Sequence, residues 1–172
     1  MADPRLAGSK QPYHEVAGLP VTEAARRLAR LSESARAMAE AALRDAVEDL
    51  RRRGHAPAAL GILDSSGRKS ASLEAILASH ALIHMADGDH FRDALAEAGR
   101  RCALSVTRVR ERDLLQRAGS VLRRPPAQIQ RSVQALGKPL GPPWAADQKQ
   151  AALLAWLLLA GAGGKAPARR LD

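Results

Sequence analysis

Residues 58–109 read AALGILDSSGRKSASLEAILASHALIHMADGDHFRDALAEAGRRCALSVTRV, and the fold turns on how this stretch divides. A short apolar run stands at each end. AALGIL, 58–63, is bounded by Pro57 and by the polar turn DSSG, which is the pattern of a buried strand. ALSVTRV, 103–109, alternates Leu104 and Val106 with β-branched neighbours and reads as another strand. Between them, from Ser72 onward, apolar residues return at helical steps. Strand, helix and strand in that order predict a parallel pair with a right-handed crossover, the helix packed on the sheet.

Upstream, HEVAGLP (14–20) predicts a short strand ending at Gly18. Thr22 is placed to cap the helix that follows. There Leu28, Leu31, Ala35, Met38, Ala42, Ala46 and Leu50 recur at three- and four-residue steps and mark one apolar face. The polar SES at 32–34 predicts a break into two helices. Gly54 follows three arginines and predicts the stop, because glycine accepts the left-handed conformation and cations suit the negative helix end. Downstream the chain turns helical. ERDLLQRAG ends at Gly119, and Pro125-Pro126 opens AQIQRSVQALG, which ends at Gly137. KPLGPPW is a stiff loop, and a last helix runs from about Ala145 to Ala160. The expected class is α/β, a small mainly parallel sheet with flanking helices and a helical C-terminal half. One domain is expected over 13–160, with a flexible tail over 1–12 and a flexible basic tail over 161–172.

Composition narrows the function classes. Aromatic residues are only 2% of the 172, so the core must be built from Ala, Leu, Val and Ile. Lys+Arg number 27 against 18 Asp+Glu, a net charge of +9 that attracts nucleic acid or another polyanion. An Ala-, Arg- and Gly-rich composition from a GC-rich coding sequence supplies the same charge without selection for binding. The single cysteine, Cys102, excludes an internal disulfide and fits a reducing cytoplasm. The N-terminus has no apolar core of a secretory signal. The longest apolar run, Ala151–Ala162, falls short of the roughly 20 residues a bilayer needs. No membrane association is expected.

The chemistry concentrates in SHALIHMADGDHFRDAL, 79–95, which carries three histidines and three aspartates among apolar residues. Read as a single helix from Ser72 to Cys102, it sets Leu73, Ile76, Leu77, His80, His84, Asp87, Phe91, Leu95 and Cys102 on one stripe, with Asp89, Asp93 and Arg100 on the far side. His80, His84 and Asp87 then sit within the face that packs on the sheet, and buried polar groups need partners. Three readings stand. His at i and i+4 with Asp at i+7 stacks three ligands for a divalent metal ion, without the glutamate of the HExxH motif, since Ala81 stands in its place. Asp87 alternatively orients a histidine for metal-free acid–base work. In the third reading the histidines are structural. Gly88 marks a kink or a close backbone approach.

Two further constellations hold candidates. Asp64 ends a strand and is followed by Ser65, Ser66, Gly67, Arg68 and Lys69 ahead of a helix start at Ser72. Ligands of open α/β sheets bind beyond strand C-termini, and helix N-termini favour anions, so Ser65, Ser66, Arg68 and Lys69 are phosphate candidates. An ordinary polar turn has the same composition. GKPLGPPWAADQK (137–149) stiffens the approach to Trp144 and puts Asp147 and Lys149 in the first turns of the last helix, at the edge of a site or as dipole partners. Arginine clusters such as Arg26-Arg27-Arg30 are dispersed and lack aromatic partners, so they offer phosphate contacts without base reading.

The strings SHALIHMADGDHFRDAL and LGPPWAADQKQAALLAWLLLA resemble an uncharacterised family of bacterial proteins, in which a His-containing helix with an acidic-Gly-acidic turn precedes a final Gly-Pro-Pro-Trp, Asp, Lys helix. The likeness spans about Ala58 to Ala160 and implies no established activity. By analogy alone the chain also resembles RNase H-like nucleases, including Holliday-junction resolvases, which hold divalent metal with acidic residues at a strand and at the last helix. That resemblance implies catalytic roles for Asp64, Asp87 and Asp147, and it departs from the pattern in showing no hairpin of strands after Asp64. The function expected is a metal-assisted phosphoester hydrolase with nucleic acid as a candidate substrate, with His80, His84, Asp87 and Asp64 around metal and water and Arg68, Lys69 and Lys149 facing phosphate. The competing class is a non-catalytic nucleic-acid-binding or protein-interaction module with a structural histidine helix.

Overall fold

The computed structural model describes residues 2–65 and 71–163, with side chains described as far as residue 161. The chain divides into two compact units, Met1–Thr107 and Arg108–Asp172. The class is the α/β one expected: among the described residues, seven helices accompany one sheet of two parallel strands, and the C-terminal part is helical.

The first unit is built on a pair of helices. Helix α1, Pro12–Glu15, is a single turn, and α2, Val21–Arg52, runs unbroken for 32 residues. Strand β1, Ala59–Asp64, leads to α3, Leu73–Leu77, and then to α4, His80–Arg101, which packs along α2. Strand β2, Ser105–Arg110, returns beside β1. The contact between α2 and α4 is made by alanine. Ala35 and Ala39 meet Ala94 and Ala98, with Leu43, Phe91 and Leu95 around them. Small side chains let the two helices approach closely, which is how a chain with so few aromatics closes a core. A second cluster, Val16, Ala24 and Leu28 with Tyr13, Leu19, Leu73 and Leu77, seats α1 and α3.

Four local expectations are corrected. HEVAGLP forms no strand: Pro12 takes the first helical position, and the buried Pro12 and Val16 pin the single turn of α1. Thr22 is not the cap of α2; Pro20 holds that place in an extended conformation with no side-chain bond. SES does not break α2, because Ser32 and Ser34 find partners outside it, His90 and Asp3. The stretch 72–102 is two helices rather than one. Ser72 caps α3 by accepting from the Ala75 N–H at 3.2 Å, and Ser79, extended, caps α4 by accepting from Leu82 N–H at 3.5 Å. The predicted stop at Gly54 stands. Gly54 has φ +82, its N–H donates to Arg51 C=O, and His55 N–H reaches back to Leu50 C=O, the paired bonds of a Schellman end.

Near its C-terminus α4 lies against the sheet at Gly99. A Cβ there would meet Leu60 Cδ2 and Val106 Cγ2 at 2.8 Å each, one from each strand. Gly99→Val should therefore destabilise the protein by about 1–3 kcal/mol through overpacking. The midpoint of urea unfolding reads this, and an unchanged midpoint would mean that α4 stands off the sheet.

The second unit holds α5, Glu111–Leu122, α6, Pro126–Leu136, and α7, Ala146–Gly163, each in contact with the other two. Leu114 and Ala118, Ile129 and Val133, and Leu153, Leu154 and Leu157 are their buried residues. Among the described residues no helix is long and apolar enough to cross a membrane.

Candidate metal centre

The buried face of α4 decides the geometry of the histidines: its stripe is Ile83, Asp87, His90, Ala94 and Ala98. His80 and His84 leave the middle of the packed face, where a single helix would have put them, and stand exposed at its edge. Successive turns of α4 bring their Nε2 atoms to 3.0 Å from each other. The third member of the group comes from α1. His14 approaches both, with ring centroids 4.4 Å from His84 and 5.5 Å from His80. One ligand atom from each of His14, His80 and His84 lies within 4.8 Å of the others. Two nitrogens bound tetrahedrally to one zinc-class ion at about 2.0–2.1 Å stand roughly 3.3 Å apart, close to the observed His80–His84 spacing.

Asp87 occupies a different place from the ligand position expected of it. It is 7% exposed, and both its oxygens are engaged with α1. Oδ1 accepts from the Tyr13 backbone N–H at 2.7 Å, and Oδ2 lies 2.5 Å from His14 Nδ1. That bond orients the His14 ring and leaves its Nε2 for a ligand, the carboxylate–histidine arrangement that fixes metal-binding imidazoles. An Arg27–Glu15 ion pair holds the other end of α1 to α2. The sequence pattern missed His14 because it lies far from His80 along the chain and inside a segment read as strand. The available signal was Pro12 followed at i+4 by Val16, a helical opening with two buried anchors.

The remaining candidates fall elsewhere. Asp64 ends β1 and is not part of the histidine group. Ser65 Oγ donates to Asp89 Oδ1 at 3.2 Å, and Arg92, paired to the same oxygen, donates from Nε to Leu63 C=O at 2.9 Å. Ser65 and Asp89 thus join the end of β1 to α4. Ser66, Arg68 and Lys69 lie outside the described residues. Asp147, Lys149 and Trp144 belong to the second unit. Trp144 lies with its ring against Gly137, and its Nε1–H donates to Val133 C=O at 3.2 Å. Asp147 is exposed in the first turn of α7, where its charge complements the helix dipole.

Behind α1 lies a cleft of about 380 Å³ whose wall includes Tyr13, Ser32, Arg36 and His90. Burial holds the Tyr13 phenol above its usual range, and Asp93, Asp87 and Asp89 push it the same way. Burial holds the His90 imidazole below its usual range, with Arg36 reinforcing and Asp87 and Asp93 opposing. The unfolded chain therefore takes up a proton at His90 more readily than the folded one. Stability is unaffected while both states are neutral and falls as pH drops below the ordinary value of 6.5. Unfolding free energy should decline between about pH 7.5 and pH 5, and His90→Gln should flatten that decline. Urea midpoints of both proteins across the range test this, and parallel declines would assign the effect to another group.

No family model matches the chain, and no curated protein or solved structure matches it. The sequence resemblances therefore lend no residue roles, and the site stands on its own geometry.

Proposed function

We propose that this protein is a metal-dependent hydrolase whose ion is held by His14, His80 and His84, oriented by Asp87. The observation that carries the reading is the convergence of three imidazoles from two helices, their ligand atoms within 4.8 Å, with a buried carboxylate bonded to one of them. Three neutral nitrogen donors suit zinc and its neighbours, and a three-ligand set leaves a position open for water or substrate. Such an ion brings bound water near a pKa of about 7, so that hydroxide is available at neutral pH. The exposure of His80 and His84 suits a substrate that arrives from solvent. The +9 charge favours phosphoesters, nucleic acid among them, as the substrate class. A second reading has its own support: Asp87 saturates both oxygens within the protein, and His80 can bond His84, so the cluster is also a satisfied polar seam in a basic binding module.

The test is zinc binding by competition with a chromophoric chelator, followed by hydrolysis of bis(p-nitrophenyl) phosphate by the loaded protein, with His80→Ala as control. Stoichiometric zinc and turnover, lost together in the variant, is the expected result. Zinc without turnover would reduce the reading to a binding centre. No zinc would leave the seam, and attention would pass to the arginines.

A further inference from the structure

A second cleft, of about 540 Å³, lies between the N-terminal turns and the first half of α2, and its volume is within the range of small-molecule sites. Leu6 and Ala7 line it from the turns, and the buried Leu31 lines it from α2. The turns are closed by their own bonds. Leu6 N–H donates to Asp3 C=O at 3.1 Å, Ser9 N–H donates to Leu6 C=O at 3.2 Å, and Ser9 Oγ donates to Asp3 C=O at 2.6 Å. Ser34 Oγ donates to Asp3 Oδ2 at 3.4 Å and ties the turns to α2. Gly8, at φ +77, lies so near α1 that a Cβ there would strike the Glu15 side chain. The wall that carries Leu6 and Ala7 is thus seated on both helices.

The rest of the lining is charged and selects the occupant. Glu23, Arg26, Arg27 and Arg30 all come from α2. Arg27 is taken by Glu15 of α1. Arg26, Arg30 and Glu23 have no hydrogen-bond or ion-pair partner among the described residues. Helical rise sets Arg26 and Arg30 one turn apart, about 6 Å along α2, with Glu23 about 4.5 Å further toward the N-terminus. Two guanidiniums against one carboxylate leave a single positive charge, which matches a monoanion. Guanidinium and carboxylate pair through forked, charge-assisted bonds, and an aliphatic body gains by leaving water for Leu6 and Leu31. An ammonium would meet two guanidiniums and one carboxylate instead. We propose that this cleft binds a small amphipathic carboxylate, its head held between Arg26 and Arg30 and its aliphatic body against Leu6 and Leu31. The inference is independent of the metal reading, because none of these residues belongs to the histidine group.

Three probes separate the two halves of the lining: octanoate, acetate and octylamine, each titrated calorimetrically into the full chain dialysed free of metal, so that no carboxylate ligates an ion at the histidine group. Octanoate should saturate one site per chain. Acetate, which lacks the aliphatic body, and octylamine, which reverses the charge, should each bind at least about tenfold more weakly. Arg26→Gln/Arg30→Gln, at exposed positions, should weaken octanoate by a similar factor. Arg117→Gln/Arg131→Gln removes the same charge from exposed positions in the second unit and should leave octanoate binding unchanged. Ala7→Trp should abolish binding by filling the cleft, and thermal melting confirms that each variant folds. No saturation by octanoate at about 10 mM, equal binding of acetate, or preference for octylamine would each overturn the proposal. So would octanoate binding that survives both Arg26→Gln/Arg30→Gln and Ala7→Trp, or that falls equally in the two arginine variants.

Discussion

Replacing Asp87 with alanine is expected to lower the stability of the first unit by about 2–4 kcal/mol, the range for removing one partner of a buried, hydrogen-bonded pair. The side chain spans two elements rather than one. It receives the Tyr13 N–H at 2.7 Å and lies 2.5 Å from His14 Nδ1, both on α1, while it projects from α4. A helix of four residues cannot hold itself, since nucleation is unfavourable and one turn adds almost no propagation. Its place depends on Pro12 and Val16 in the core and on this carboxylate. Alanine leaves a backbone donor without its acceptor at a position that is 7% exposed. Asparagine keeps an acceptor for Tyr13 and loses only the charge, so its cost should be smaller, about 1 kcal/mol. Urea unfolding followed by circular dichroism gives the totals. Amide exchange at Tyr13 gives the local effect: faster in Asp87→Ala, nearly unchanged in Asp87→Asn. An alanine variant as stable as the parent would show that α1 is held by its apolar anchors alone.

What the sequence disclosed was whatever carried contrast. The first strand was legible as an apolar run between Pro57 and DSSG, the second by its alternation of Leu104 and Val106 with β-branched neighbours, and the α/β order followed from them. The face of α2 was legible only at its start. Leu28, Leu31 and Ala35 are buried as read, but the stripe continues through Ala39 and Val47, not through Met38, Ala42, Ala46 and Leu50. Alanine is the reason: it lies on both faces of this helix and says little about which one is inside. The serines misled in a related way. Ser32 and Ser34 are seam residues within a helix, whereas Ser79, in a run that looks continuous, is a cap. A hydroxyl serves equally as cap or as buried partner, and tertiary context chooses. The packed face of α4 centres on Ile83, Asp87, His90 and Ala94, which leaves His80 and His84 at its rim and Asp87 inside. The pairing of His80 with His84 was legible from their spacing, while the approach of His14 was not, because no local period links α1 to α4.

The two ligand sets make opposite forecasts for His14, and this gives the sharpest test of the centre. If His80, His84 and Asp87 held the ion, as a continuous helix suggests, His14→Ala would leave zinc affinity nearly intact and Asp87→Asn would abolish it. The geometry forecasts the reverse order. In the proposed centre His14 supplies one of three ligand atoms, so His14→Ala should weaken zinc by at least about a hundredfold, more than the 10–100-fold typical of an orienting partner. Asp87→Asn, acting through the His14 ring, should fall within that smaller range. His80→Ala should match His14→Ala in affinity loss and differ from it in stability. His80 is exposed and, among the described residues, bonds within the cluster, whereas removal of His14 also strips a partner from buried Asp87. Chelator competition at neutral pH gives the affinities, and urea midpoints without metal give the stabilities. Zinc that binds His14→Ala as tightly as the parent protein would remove α1 from the centre and return the cluster to a structural seam. A loss shared by His14→Ala, His80→Ala and His84→Ala, with only His14→Ala destabilised, would fix both the ligand set and the role of Asp87 behind it.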